Sequence, residues 1–244
     1  MPSEIKPPAL SVVILCYRSE ESIIPFVQEV IEELGAGNIS NYELILVANY
    51  HAGTLDRTPE IVTTLAESNS KLVPIIYEKN KGMMGWDVCT GLAAAKGDSV
   101  ALIDGDGQMP PRDIIRLYKV LQSGEFDLVK TYRTKRLDGF RRKLISRSYN
   151  ILFRIFFPSL SFRDINSKPK IWARKALEMS ELKNTGWFID GEIMLEAHRL
   201  NFSVAEIPTV FHENEWRASF VGISTIFELI FSLIQHRFIY WFRK

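Results

Sequence analysis

Between Leu10 and Tyr132, apolar runs of strand length alternate with segments of helical character, and no other feature restricts the fold of this chain so tightly. Leu10 to Cys16, Tyr42 to Ala48, Leu72 to Glu78, Ser99 to Asp104 and Phe126 to Tyr132 read as strands. Helices are expected from Ser19 to about Leu34, with Glu20 and Glu21 at the positive end, from Pro59 to about Glu67, from Met84 to Lys96, and after Pro111 to about Gln122. Repeated β-α-β units with short connections imply a largely parallel sheet covered on both faces. Ser203 to Phe211 reads as one more strand. With 244 residues, 46% of them apolar, and no repeat or linker, residues 1–215 are expected to form one domain.

The stretch from Asp98 to Pro111, Asp-Ser-Val-Ala-Leu-Ile-Asp-Gly-Asp-Gly-Gln-Met-Pro-Pro, carries the most chemistry. Its strand stops at Asp104 and Asp106, so two carboxylates stand at a strand's C-terminal edge, where open α/β sheets place their ligands. Residues two apart in extended backbone point the same way and can converge on one hard cation, leaving coordination sites for a diphosphate. Gly105 and Gly107 let the backbone come close to that ligand. A lone Asp-x-Asp is more often a turn or a helix cap; the strand before it and the order of elements favour the metal. A helix-loop-helix calcium site is excluded, because Met109 and Ile115 stand where it needs glycine and glutamate. Cys16-Tyr-Arg-Ser-Glu-Glu21 follows the first strand in place of Gly-x-Gly-x-x-Gly, which excludes a dinucleotide-binding fold and, equally, a phosphate-loop nucleotide hydrolase.

A formal net charge of +1 argues against a surface coated for nucleic acid, and no nucleic-acid partner is expected. The charge is uneven, however. Lys130 to Lys175 holds fourteen Lys and Arg against Asp138 and Asp164, interleaved with Leu144, Tyr149, Ile151, Leu152, Phe153, Ile155, Phe156 and Phe157. That pattern suits a folded basic surface facing an anionic partner with an apolar part. Cys16 and Cys89 read as buried free thiols, and Met1 to Pro8 does not resemble a signal peptide, so a cytoplasmic location is expected. His51, His198, His212 and His236 lack metal-ligand spacing and receive no role, and Trp86, Trp187 and Trp216 are expected to pack rather than stack on a ligand.

At this point the residues resemble the glycosyltransferase family 2 enzymes of GT-A fold, and among them the polyprenyl-phosphate (dolichol-phosphate) glycosyltransferases. The resemblance runs through Ser11 to Glu21, Tyr42 to Val47, Asn80-Lys-Gly82, Gly97-Asp98, Asp104 to Pro111, Tyr132-Arg133, Arg141-Arg142, Ser146 to Asn150, Asp164-Ile-Asn-Ser167 and Glu206-Ile-Pro208. Each motif alone is weak, whereas the ordered set is specific. It implies a Rossmann-like, mostly parallel central sheet with helices on both faces. It also implies that Asp104 and Asp106, with Gln108 beside them, hold Mg²⁺ or Mn²⁺ against the diphosphate of a nucleotide-sugar donor. Tyr17 and Asn49 at two strand ends, with Lys81, Asp98 and Asp104, are the implied nucleotide contacts.

Arg133, Arg141, Arg142 and Ser146 are the expected acceptor-phosphate contacts, since a guanidinium fork binds phosphate bidentately. A phosphate acceptor is already ionised near neutral pH and needs positioning more than proton abstraction, whereas a sugar hydroxyl needs a general base. Asp164, Asp190 and Glu192 are the candidates for that base. The implied activity is inverting transfer of a sugar to a polyprenyl phosphate at the cytoplasmic membrane face. The alternative is transfer to a hydroxyl of a cell-surface polysaccharide or lipopolysaccharide precursor. Ala48-Asn49 replaces an acidic pair common in relatives, and Ser167-Lys168-Pro169 replaces Ser-Gly-Phe; these departures keep a catalytically silent nucleotide-sugar-binding protein in play.

Phe220 to Ile234 is apolar but shorter than a membrane span and interrupted by Glu228. At helical spacing Ile223, Ile226, Phe227, Ile230, Phe231, Ile234, Phe238 and Trp241 form a stripe, with Thr225, Glu228, Ser232, Gln235 and His236 opposite. Residues 216–244 are therefore expected to form an amphipathic helix lying in a membrane surface, with docking on the sheet or on a second copy of the chain as the competing arrangement.

Overall fold

The computed structural model describes residues 6–79, 82–214 and 223–242. Its frame is a seven-stranded sheet of β1 (Leu10–Leu15), β2 (Tyr42–Val47), β3 (Leu72–Ile75), β4 (Ser99–Asp104), β5 (Leu128–Arg136), β6 (Lys170–Ala173) and β7 (Val204–Phe211), in the order β3-β2-β1-β4-β6-β5-β7. The helices are α1 (Ile23–Ala36), α2 (Thr58–Ser68), α3 (Met84–Ala94), α4 (Arg112–Leu121), α5 (Phe140–Phe156), α6 (Arg174–Met179), α7 (Ile189–Arg199) and α8 (Ile223–Phe242). A 3-10 turn, Glu20–Ser22, leads into α1, so the helix expected from Ser19 begins four residues later.

The expected parallel sheet is present with one exception. β1 runs parallel to both β2 and β4, β2 to β3 and β5 to β7, while β6 lies antiparallel between β4 and β5. Four residues opened by a lysine give no strand-length apolar run, which is why β6 escapes a sequence reading.

β1 is buried along its whole length, as a strand covered on both faces must be. Its alternate residues feed two cores. Val12 and Ile14 join Leu44, Leu46, Ala101 and Ile103 beneath α1, α2 and α4. Val13 and Leu15 join Ile45, Val47, Val100 and Leu102 beneath α3, α5 and α7, where Phe153, Phe157, Phe188 and Ile193 complete the packing. The chain crosses from one side of β1 to the other between β3 and β4, which makes the ends of β1 and β4 the switch point of the sheet. Leu15 and Asp104 are paired in register there.

α8 docks through the edge opposite its apolar stripe. Thr225, Ser232 and Leu233 are buried, Glu228 accepts the Trp187 backbone N–H at 3.0 Å, and His236 stacks on Phe188 at 4.6 Å. Phe227, Phe231, Ile234 and Phe238 face outward, with Phe231 67% exposed. No described helix is long and apolar enough to cross a membrane. The boundary at residue 215 and Trp216 lie outside the described residues.

Candidate active site

A cavity of about 320 Å³ opens at the switch point and is lined by Asp104, Asp106, Tyr17, Arg133, Lys168 and Asp190, among others. β4 carries Asp104 to its rim. Gly105 follows directly, and a Cβ there would stand 3.0 Å from the Leu15 carbonyl and 2.8 Å from Ile23, so the turn can cross the end of β1 only as glycine. Gly107 has φ +71°, a left-handed conformation that brings the chain round. The Gln108 N–H then donates to Asp106 Oδ1 at 3.1 Å and fixes that carboxylate. Gln108 also binds β7 to the turn, its Nε2 donating to the His212 carbonyl at 2.9 Å and its own carbonyl accepting from the His212 N–H at 2.8 Å. Gln108 therefore acts as a strut at the cavity wall as well as a neighbour of the two acids.

The far wall comes from β5, α5 and the segment before β6. A bulge between Arg133 and Lys135 re-aims β5 at this point. Asp164 receives Arg133 Nε and Nη2, both at 2.7 Å, and the Arg133 backbone N–H at 3.2 Å, while Nη2 also reaches Ser146 at 3.3 Å. Burial pushes the Asp164 carboxyl up, but Arg133 outweighs it and holds it well below the usual carboxylate range. Arg136 makes a similar fork on Asp138, at 3.0 and 2.5 Å, with Arg142 4.0 Å from the same acid. Arg133 and Arg136 both lie against the Phe211 ring. The cations of the basic stretch thus reach the cavity already oriented by carboxylates.

Asp190, 1% exposed, sits between two lysines: Lys168 at 2.8 Å and Lys170 at 2.5 Å. Burial favours its neutral form, yet the two ammonium groups prevail and hold it at about 2. Lys168 extends to Asp104, Nζ to Oδ1 3.4 Å. Its burial opposes the charge, while Asp104 and Asp190 raise it above the ordinary lysine value. Lys170 is pushed down to about 8, burial outweighing Asp190 and neighbouring lysines adding to the effect.

Several expected contacts are placed elsewhere. Asn49 is buried behind the cavity, where Nδ2 donates to Asp87 and Thr90, each at 2.9 Å, and Oδ1 accepts the Tyr77 N–H at 2.8 Å, so its amide is committed within the protein. Asp98 is exposed just before β4, at the opposite end of the strand from Asp104. Glu192 accepts the N–H groups of Lys183 and Asn184 at 3.0 and 2.8 Å and shapes that loop rather than the cavity. Asp164 and Asp190 are pair partners of buried cations, which removes the basicity a proton acceptor needs. Lys81 lies outside the described residues, as does the side chain of Arg141.

Sequence reasoning missed Lys79 and Asp87. Lys79 Nζ lies 2.9 Å from Asp87 and 4.2 Å from the centre of the Tyr17 ring, and all three line the cavity. Asp87 also accepts from Asn49 Nδ2 at 2.9 Å, and a lone aspartate in an apolar helix was the available signal for it. Tyr149 Oη and Asn166 Oδ1 also line the cavity, without a hydrogen-bond partner. Groups buried in that way await a ligand or a water.

A mostly parallel α/β sheet whose switch point presents an Asp-x-Asp opposite paired arginines defines the GT-A class. Residues 11–177 match the sequence profile of glycosyl transferase family 2, and the chain belongs to that family. It is 32% identical over 149 residues, 59% of this chain and 43% of the relative, to undecaprenyl-phosphate 4-deoxy-4-formamido-L-arabinose transferase of Pectobacterium carotovorum. It is 29% identical over 220 residues to glycosyltransferase AglD of Haloferax volcanii, covering 85% of this chain and 35% of that one. The chain therefore spans less than half the length of these two relatives. Among solved structures, glucosyl-3-phosphoglycerate synthase of Mycobacterium tuberculosis with Mn²⁺, UDP and phosphoglyceric acid superposes with TM-score 0.69 at 20% identity, over 94% of this chain and 78% of that one.

Proposed function

We propose that this chain is a metal-dependent, inverting glycosyltransferase that moves a sugar from a nucleotide-sugar donor to a polyprenyl phosphate at the cytoplasmic face of a membrane. The observation that carries the reading is one cavity with the Asp104–Asp106 carboxylates on one wall and Arg133, Arg136 and Arg142 on the other. The relative named an undecaprenyl-phosphate transferase supports the acceptor, and the neighbour with Mn²⁺ and UDP supports the donor and the ion.

Two carboxylates of hard oxygen, two residues apart and facing the same cavity, fit Mg²⁺ or Mn²⁺, which keeps open positions for substrate phosphates. When bound, the ion takes up charge developing on the diphosphate leaving group. Asp104 and Asp106 would hold the ion, which would supply charge neutralisation for the diphosphate. Tyr17, with Lys79 beneath its ring, offers an aromatic face to the base. Arg133, Arg142 and Ser146 position the acceptor phosphate, with Arg133 held in place through Nε and Nη2 on Asp164. Since Asp164 and Asp190 are both locked to cations, a phosphate acceptor that requires no base is favoured over a sugar hydroxyl. In-line attack on the anomeric carbon inverts its configuration.

Membrane contact rests on surface character. Phe140, Leu144, Ile151 and Ile155 of α5 are exposed beside the outward stripe of α8, with Lys143, Arg147 and Arg154 among them. Apolar side chains set among cations fit an anionic lipid surface, and they place the cavity's arginines near its headgroups. The test is transfer from a panel of radiolabelled nucleotide sugars to undecaprenyl phosphate in detergent, with a soluble glycan and no acceptor as comparisons. Transfer to the lipid that vanishes in Asp106→Ala is expected. Transfer only to the glycan, or lipid transfer unaffected by Asp106→Ala, overturns the reading.

A further inference from the structure

Lys168 is buried at 2% exposure, yet its ammonium forms part of the cavity wall. Its Nζ touches Asp190 Oδ2 at 2.8 Å, Asp104 Oδ1 at 3.4 Å and Met84 Sδ at 3.6 Å. The two acids differ in their need of it. Asp190 has its other oxygen on Lys170 at 2.5 Å and stays paired without Lys168. Asp104 stands at the mouth with its side chain 30% exposed, and among the described residues Lys168 is the cation within ion-pair distance. The fold thus places a fixed positive charge beside one of the two carboxylates assigned above to the divalent ion, and the inference rests on that assignment.

We propose that Lys168 is a resident cation of the donor site. It contests Asp104 with the divalent ion, so that the ion is held weakly alone and firmly only with a diphosphate whose charge both cations neutralise. The reasoning is electrostatic. An ammonium on Asp104 Oδ1 withdraws negative charge from the ion's site and repels an incoming dication across a short, poorly screened path. A diphosphate reverses the balance, because its oxygens reach both positive centres. Lys168 thereby couples metal binding to donor binding, and it is a positioning and specificity residue for the diphosphate rather than a proton carrier.

Isothermal titration of the whole chain tests this with Mn²⁺ alone, with inorganic pyrophosphate alone, and with each in the presence of the other. Relative to wild type, Lys168→Met is expected to bind Mn²⁺ alone about tenfold more tightly or better, and pyrophosphate alone about tenfold more weakly. The mutual enhancement of the two ligands shrinks accordingly. Lys168→Gln, which can still donate to Asp190, is expected to show the same changes and serves if the Met variant does not fold. Unchanged affinity for Mn²⁺ or for pyrophosphate in a folded variant overturns the proposal. Asp106→Ala separates the two levels. Loss of Mn²⁺ binding there, with Lys168→Met indistinguishable from wild type, refutes the role of Lys168 alone; Mn²⁺ binding that survives Asp106→Ala refutes the metal assignment beneath it.

Discussion

Replacing Asp190 by alanine removes the one carboxylate that Lys168 and Lys170 share. Both lysines are almost wholly buried. After the substitution Lys168 keeps Asp104 at 3.4 Å, but Lys170 keeps a neutral partner, the Ser167 carbonyl at 2.8 Å. Breaking a buried ion pair from one side costs about 3–5 kcal/mol, because an uncompensated charge stays behind. Against a total stability of about 5–15 kcal/mol that is a large fraction. At roughly 2–4 °C per kcal/mol for a chain of this size, the melting temperature falls by about 6–20 °C. Urea unfolding followed by circular dichroism at pH 7 measures the free energy, and a thermal scan measures the melting temperature. The sign with pH is also fixed: the Asp190 carboxyl, held at about 2 against an ordinary 3.8, contributes stability that is present above pH 3.8 and is lost as pH falls toward 2. The gap between wild type and variant must therefore narrow across that window. A triple change of Asp190→Leu, Lys168→Met and Lys170→Met should recover much of the loss, since an apolar set of similar volume replaces buried charge at little cost. A melting temperature within about 2 °C of wild type for Asp190→Ala, or a gap that does not change with pH, refutes the reasoning.

Other consequences are simpler. Gly91 in α3 lies so close to the sheet that an added Cβ would clash with Val13 and meet Val47 at 2.7 Å, so Gly91→Ala should destabilise by about 1–3 kcal/mol in the same urea assay. Arg142, half-buried and 4.0 Å from Asp138, contributes little to stability; Arg142→Met should leave the melting point within about 2 °C while lowering transfer to the lipid at least about tenfold. Burial pushes the Cys89 thiol up to about 11 and Cys16 is buried, so neither should react with a thiol reagent at pH 8 until urea unfolds the chain. Phe231→Asp should abolish co-sedimentation with phosphatidylserine-containing vesicles and leave the melting temperature unchanged, the side chain being exposed.

The frame was legible because its signals are local. β1, β2, β4 and the helices between them are written as apolar periods, and β4 runs from Ser99 to Asp104 as its run of residues implies. The basic stretch was legible as a surface, but its helix was not, since α5 mixes cations and aromatics on no clean period. Asn49 and Asp98 show the limit at the site. Each sits beside a motif in sequence, yet one is committed to Asp87, Thr90 and Tyr77, and the other stands at the wrong end of its strand. Lys79, Asp87 and Lys168 had no motif of their own; they belong to the cavity because separate elements bring them there. α8 makes the same point at the surface, because its amphipathic stripe was visible while the docking edge depended on Trp187 and Phe188.

By itself the sequence determined that β-α-β units build a parallel sheet and that Asp104 and Asp106 stand at a strand's end, because period and burial act between neighbours along the chain. Tertiary structure alone decided which charges meet. Asp164 clamps Arg133 from 31 positions away, and Lys168 bridges Asp190, 22 positions on, and Asp104, 64 positions back, only through folding; such pairings follow from distance in space, and burial, which makes each charge need a partner, exists only once the chain has closed around it.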